Sequence, residues 1–278
     1  MFLLATSLLL TLTGCDGRGK DDTGGGTDTS DTSDTSETGD TSDTTDTGSA
    51  TGFTVSGTLI DLALKVPMDG SALTIAVADP TPALAGGEME ILATGTADAT
   101  GAFSVAGVET TSSVGLFVVV TGTGVMNSAF GISSASYSGL GDGDVLSGVN
   151  AYVVSSDLSD FVNTSISAAG GTEDIVSLGA LFGFVFDVAG APVGGAVASC
   201  SGCGTPNFYY ADTDPTDGLF STGAAANTST NAATNAMFVV PGAPIASYTA
   251  DDGVHDFVSQ LGGSLPGFAA FISINSLD

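Results

Sequence analysis

Hydrophobic and polar positions divide the chain into three regimes. Residues 2–12 are predominantly apolar, residues 16–51 carry no apolar periodicity, and from Phe53 onward short apolar runs recur between turn residues. Runs at 53–60, 72–77, 89–94, 103–105, 116–120 and 151–154 predict strands. The run at 116–120 is continuous rather than alternating, which predicts a central strand. Asp79-Pro80, Gly86-Gly87 and Asp98-Ala99-Thr100-Gly101 predict the turns between runs. Leu158, Phe161, Val162 and Ile166 are spaced i, i+3, i+4 and i+8, with Ser156-Asp157 to cap and Gly170-Gly171 to stop a short helix. Short strands, Gly-rich turns and no long helix predict an all-β protein of two sandwiches. The first is expected over residues 53–154 and the second over 179–278. A linker with a short helix, 155–178, lies between.

One stretch is written twice. Val55-Ser56-Gly57-Thr58-Leu59-Ile60-Asp61 is followed by Val66-Pro67-Met68-Asp69-Gly70, and Leu181-Phe182-Gly183-Phe184-Val185-Phe186-Asp187 by Ala191-Pro192-Val193-Gly194-Gly195. Each copy reads as a half-buried strand, a turn carrying Pro and Gly, and the start of another strand. Three later stretches match in order: residues 101–104 with 218–221, 116–119 with 237–240, and 148–153 with 267–272. Matches in the same order predict an internal duplication.

Charge narrows the function. The formal net charge is -28. Ten of the 31 acidic residues lie between Asp16 and Asp46, and the other 21 share the rest of the chain with one lysine, Lys65. Such a surface repels phosphate backbones, so no nucleic-acid partner is expected. It also repels anionic headgroups, so membrane attachment has to be covalent or hydrophobic. With one histidine, and with Arg18 and Lys20 outside the β-rich part, the residue types that most acid–base and phosphoryl-transfer sites need are scarce. No enzyme and no cofactor is expected.

The apolar run is too short to span a bilayer and suits a signal-peptide core. It ends in Leu12-Thr13-Gly14-Cys15, which resembles the lipobox of bacterial lipoproteins. No Lys or Arg follows Met1, where that pattern has one. The resemblance implies a signal peptide over residues 1–14 and a lipid on Cys15, holding the protein on a membrane of the bacterial cell envelope, at the outer membrane or cell surface. Residues 15–52 then form an acidic Ser/Thr/Asp/Gly tether, too polar to offset chain entropy and so expected to be disordered. As a flexible coil it would reach roughly 30–35 Å. Asp22-Thr23-Gly24 and Asp46-Thr47-Gly48 spell the aspartic-protease triplet, but in polar repeats without the hydrophobic flanks that a shared dyad needs.

The second copy, with Gly183, Asp187, Pro192, Gly195, Ala196, Asp217-Gly218, Phe220 and Phe238, resembles the carboxypeptidase regulatory-like domain. The first copy keeps Asp61, Pro67, Ala72, Gly101 and Phe103. The resemblance implies two Ig/transthyretin-like β-sandwiches that accompany other activities without catalysing anything. A His₂Glu zinc site is impossible with one histidine in the chain. Lys65 invites comparison with isopeptide-forming Cna-B domains, which resemble this fold, but no matching Asn and Glu can be assigned.

Four constellations remain. Cys200-Ser201-Gly202-Cys203 lacks two further zinc ligands and a βαβ setting for redox work. A β-turn brings Cα atoms at i and i+3 within about 7 Å, and disulfides span roughly 4.4–6.8 Å, so a structural disulfide is expected. Asp212, Asp214 and Asp217 are weak calcium candidates, because the third Asp and Gly218 fall one place late for a calcium loop and position 12 is Gly223. No other metal site is assigned. His255 with Asp256 and Asp251-Asp252 lacks a nucleophile motif and is expected to be a surface histidine beside an acidic turn. Phe208-Tyr209-Tyr210 reads as a strand; as a sugar-stacking platform it is all that supports a glycan-binding module of starch-binding-like architecture. The expected function is therefore a non-enzymatic, lipid-anchored envelope lipoprotein whose β-sandwiches serve structural, adhesive or protein-binding roles, with glycan binding as the alternative.

Overall fold

The computed structural model describes residues 51–212, 219–220 and 229–278. The protein is mostly β. Its first half holds β1 (Phe53–Asp61), β2 (Leu73–Asp79), β3 (Glu90–Ala97), β4 (Ala102–Val108), β5 (Leu116–Gly122), β6 (Val125–Ile132) and β7 (Val145–Ser155). The second half holds β8 (Ala180–Phe186), β9 (Val197–Ser201), β10 (Tyr209–Tyr210), β11 (Met237–Pro241), β12 (Ala246–Asp251), β13 (Gln260–Gly262) and β14 (Phe268–Asn275). Helices α1 (Thr81–Leu84), α2 (Ser156–Ala168) and α3 (Ile175–Leu178) are the α-helices among the described residues.

Strand pairing repeats with an offset of seven. The parallel pair β1–β7 returns as β8–β14. The antiparallel pairs β1–β4, β3–β4, β2–β5 and β5–β6 return as β8–β11, β10–β11, β9–β12 and β12–β13. The bridge Ile60–Pro67 returns as Phe186–Pro192. In both copies the motif aspartate closes the turn: Asp61 Oδ1 accepts the Ala63 and Leu64 N–H groups at 2.8 Å, and Asp187 Oδ1 accepts that of Ala191 at 2.8 Å.

Two of the sequence matches need correction. Gly57 lies opposite Phe103, and Gly183 opposite Phe238. β4 therefore corresponds to β11, and β5 to β12. The stretch around Phe220 is no counterpart of β4; Phe220 bridges Ala211 instead. A long insertion between β10 and β11, residues 211–236, carries a second Gly-x-Phe pattern and misleads a comparison by sequence order.

The halves differ in closure. In the first, β2 pairs with β3 over six residue pairs, and β6 meets β7 at Val125–Ser155 and Met126–Val154. These seams close seven strands into a barrel around Val55, Leu59, Ile75, Phe103, Val118 and Val153. In the second, the bridge Phe257–Ser276 matches the β6–β7 seam, but β9 and β10 form no ladder among the described residues.

Neither half stands apart. After Met126, β6 leaves β7 and pairs with β14, Asn127–Phe130 against Phe268–Phe271. One sheet of eleven strands thus runs through both halves, and residues 49–278 form a single compact unit. β6 is absent from the strands that the hydrophobic pattern predicts, because Asn127, Ser128 and Gly131 interrupt it. Ser128 is nonetheless fully buried, donating to the Met126 carbonyl at 3.0 Å and accepting the Val154 N–H at 3.3 Å.

The two copies of the repeated stretch also differ in burial. β1 is half-buried, as its pattern predicts. β8 is buried along all of its length except Phe186. Leu181 and Val185 face the small sheet β9–β12–β13 with Phe238 and Tyr248, whereas Phe182 and Phe184 face α2 with Val162, Ile166 and Phe271. A strand covered on both faces favours an unbroken apolar run. The linker helix forms with Ser155 as N-cap, accepting the Leu158 N–H. Its Val162 and Ile166 are buried while Phe161 points outward.

Candidate functional site

Pairing direction gives the molecule two poles. β1 is parallel to β7, β7 antiparallel to β6, and β6 parallel to β14. β1 and β14 therefore run oppositely, within the twist of the sheet. The start of β1 and the end of β14 share one pole. The turns β1–β2, β3–β4, β5–β6, β9–β10, β11–β12 and β13–β14 occupy the other.

At the terminal pole the entry to β1 is held by hydrogen bonds to segments far along the chain. The Thr51 hydroxyl donates to Glu109, and the Gly52 N–H to Asp142 Oδ1 at 2.6 Å. The Gly143 N–H donates to the Gly52 carbonyl at 3.0 Å. Phe53 follows, buried and stacked on Tyr137 at 5.9 Å between centroids. Cys15, the tether and both Asp-Thr-Gly triplets lie outside the described residues.

Cys200 is the penultimate residue of β9, and a disulfide joins it to Cys203 in the following turn, with Cα atoms 5.9 Å apart. The turn lies at the far pole. Gly202 takes φ +76°, a conformation favoured by glycine.

Of the calcium candidates, Asp214 and Asp217 lie outside the described residues. Asp212 sits at the foot of that loop, its N–H donating to the Leu219 carbonyl at 3.0 Å. Asp98, at the matching kind of turn in the first half, accepts the Thr100 N–H at 2.8 Å, the Thr100 hydroxyl at 2.6 Å and the Ala102 N–H at 3.1 Å. Those bonds, led by the Thr100 hydroxyl, lower its pKa. They make it a turn-forming group. Among the described residues no group of three or more His, Cys, Asp or Glu side chains is placed to hold a metal ion.

His255 pairs with Asp252, not with Asp256. Its Nδ1 lies 2.6 Å from Asp252 Oδ2, and Asp252 Oδ1 accepts the backbone N–H groups of Val254 and His255. The His255 backbone N–H and then its ring hold the Asp252 carboxyl down at about 2. The bond to Asp252 raises the His255 pKa in turn. The arrangement clamps the turn after β12. No serine or threonine hydroxyl is hydrogen-bonded to the ring among the described residues.

The aromatic run does not form a platform. Tyr209 and Tyr210 point to opposite faces, as neighbours in a strand must. Tyr210 is buried, and its hydroxyl accepts the Ala198 N–H at 2.9 Å and donates to the Ala198 carbonyl at 3.3 Å. Tyr209 donates to Glu173 Oε2 at 2.9 Å, and burial followed by that carboxylate raises its pKa. Phe208 packs against Phe238 and Tyr248. The sugar-stacking reading of these rings is corrected accordingly: they are core and edge-covering groups.

Lys65 occupies an exposed turn after β1, outside the sandwich interior, in the left-handed region at φ 55°.

A groove that sequence reasoning missed runs between the halves, with a volume of about 410 Å³. Leu84, Met89, Val114, Phe117, Ile245 and Phe268 are among its apolar walls. They come from turns and strand ends far apart in the chain, so no local pattern signals them.

No family model matches the chain, and no curated protein matches it in sequence. Among solved structures it is similar to the shaft pilin SpaA from Lactobacillus rhamnosus GG, at 10% identity over 81% of this chain and 97% of that one, with TM-score 0.21. It is also similar to the Bacillus anthracis TIE protein, at 13% identity and TM-score 0.21 over 81% of this chain, which spans about a third (34%) of that chain. The T6 backbone pilin of serotype M6 Streptococcus pyogenes shares 10% identity over 82% of this chain and 35% of its own, with TM-score 0.22. Similarity of this degree assigns no activity or partner. Among the described residues no helix is long and apolar enough to cross a membrane.

Proposed function

We propose that this chain is a non-enzymatic, lipid-anchored lipoprotein of the bacterial cell envelope that displays a β-rich body for structural, adhesive or protein-binding contacts. The observation that carries the reading is the order of parts. An apolar run ends at Cys15, a polar acidic stretch follows, and the β-rich body begins with β1 at Phe53. Acyl chains on Cys15 would hold the protein by about 0.8 kcal/mol per buried CH₂, and two chains make such attachment stable. The scarcity of Lys, Arg and His supports a role without catalysis.

The test is intact mass and membrane fractionation of the natively expressed protein beside Cys15→Ala. The expected result is a diacylglycerol-sized increment on Cys15 and membrane association, both absent in the variant. Recovery of both forms as soluble protein, cleaved elsewhere, would overturn the anchored reading and leave a secreted β-protein.

A further inference from the structure

Beyond its pairs with β7, β6 turns the same edge to β14, which fills it over four residue pairs, Asn127–Phe130 against Phe268–Phe271, running parallel. The second half repeats the fork. The bridge Phe257–Ser276, and the Val258 N–H donating to the Asn275 carbonyl at 3.0 Å, join β13 to the end of β14. Past that seam β12 covers one edge of β13, at Gln260–Gly262. The other edge corresponds to the one that β14 fills on β6. Among the described residues no strand pairs with it.

That free edge borders the groove between the halves. Residues 260–264 line the groove and no residue of β12 does, so it runs on the side of β13 that β12 leaves open. Its volume of about 410 Å³ falls within the range of roughly 300–1,000 Å³ typical of binding clefts. Leu84, Val114, Ile245 and Leu261 stand along it, all of them exposed. No charged side chain lines it among the described residues, on a chain of net charge -28. Exposed strand edges are usually blunted by charge, by proline or by a covering segment. Gln260, Leu261 and Gly262 supply none of these.

We propose that the groove takes one extended, uncharged strand of a partner protein, paired in parallel with β13 as β14 pairs with β6. The backbone of that strand completes the free edge, and its apolar side chains cover Val114, Ile245 and Leu261. A strand is the occupant that meets both features of the site. An acyl chain would cover the apolar walls and leave the N–H and C=O groups of the β13 edge without partners. A folded second copy is too bulky for a cleft that the first half also walls, at Leu84, Val114 and Phe117. The acidic stretch before Thr51 is unsuited, because its carboxylates would lose water and gain no partner. The site adds a place to the protein-binding part of the proposed role. It does not depend on a lipid at Cys15, so either reading can fail alone.

The probe is a labelled, end-capped peptide of the β14 sequence, residues 267–275, which carries no charged side chain. It is titrated into the full exported chain carrying Cys15→Ala, which keeps the protein off lipid. Fluorescence anisotropy should show saturable binding, and hydrogen exchange should slow at residues 259–263 in the complex. Val114→Asp and Leu261→Asp, both at exposed positions, should weaken binding by about tenfold or more, because the new carboxylate is covered without a partner. Unchanged thermal unfolding shows that these variants keep the fold. The same peptide with Ala270→Pro loses a backbone N–H and should not bind. Absence of saturable binding by the β14 peptide would overturn the proposal. So would equal binding of the proline peptide, or binding that leaves exchange at 259–263 unchanged, since either means apolar adsorption without strand pairing. Saturable uptake of decanol by a protein that ignores the peptide would make the groove a lipid site and overturn the strand.

Discussion

The two halves share a strand order and solve one problem differently. A sandwich edge leaves backbone N–H and C=O groups that must find partners or stay in water. In the first half β2 meets β3 in a ladder, and the barrel closes. In the second half the matching seam is bridged by the Tyr210 side chain and by both the side chain and the backbone of Thr230. The Tyr210 hydroxyl takes both the N–H and the carbonyl of Ala198. Thr230 covers Ala196 in the same way: its Oγ1 accepts the Ala196 N–H at 3.0 Å, and its own N–H donates to the Ala196 carbonyl at 2.8 Å. Edge satisfaction is therefore a requirement, and a ladder is one way to meet it. This solution concentrates in Tyr210 and Thr230 what the ladder spreads over six pairs, so the second half is the more easily broken by point substitution.

The largest difference between halves is expected at the repeated stretch. Phe182 is fully buried between α2 and β14, its ring 5.7 Å from that of Phe271, while the equivalent Ser56 on β1 lies on the less covered face. Phe182→Ala should destabilise the protein by about 3–5 kcal/mol. Ser56→Ala should stay within about 0.5 kcal/mol. Denaturant unfolding of both variants checks the contrast, and equal effects would mean that α2 does not cover β8 in solution.

Tyr210→Phe comes next. It keeps the ring and removes the bonds to Ala198, leaving buried polar groups unmet at a cost of about 1–3 kcal/mol. Thermal unfolding reads the loss. An unchanged midpoint would show that water replaces the hydroxyl and that the edge is open.

Removing the disulfide by Cys200→Ser/Cys203→Ser should cost about 2 kcal/mol from chain entropy, small because the loop it closes is short. Wild-type protein under reducing conditions should match the double variant in a melting experiment.

The smallest effect is that of pH at the turn after β12, which has no counterpart in the first half. Asp252 is depressed to about 2, so its contribution is present above the ordinary carboxylate range and lost as pH falls toward 2. His255 is raised, so its contribution is complete below about 6.5 and lost as pH rises through its folded value. The pair stabilises most between these limits. His255→Gln should flatten the upper limb of a melting-temperature profile against pH and leave the first-half barrel untouched. Identical profiles for both proteins would deny the coupling.

Much of the fold is legible from pattern because it follows local rules. β1, β2, β5, β7 and β8 announce themselves by alternation or by continuous apolar runs, and α2 by its spacing and cap. Asp61 and Asp187 are readable as turn formers. The seam strand β6 is not, because its buried Ser128 is satisfied by Val154, a residue 26 places away. The short β12 and β13 are hidden for a related reason: their pairing partners, and not their composition, make them strands. Of the candidate residues, Lys65 was visible as the single cation of the β-rich part, but its left-handed turn was not. The groove left no local trace at all.

The sequence alone determined that the chain is β-rich, duplicated, strongly acidic and preceded by an apolar run ending in Cys15. These follow from periodicity, composition and motif order, which act over a few residues. It even held the sign of the asymmetry between halves, since Ser56, Thr58 and Ile60 stand where Phe182, Phe184 and Phe186 stand in the second copy. Only the tertiary structure decided that both halves share one sheet, that one closes and the other is bridged through Tyr210 and Thr230, and which turns share a pole. Those outcomes depend on which distant strand edge meets which. Backbone hydrogen bonding is common to every residue but proline, so the sequence around an edge carries little information about its partner.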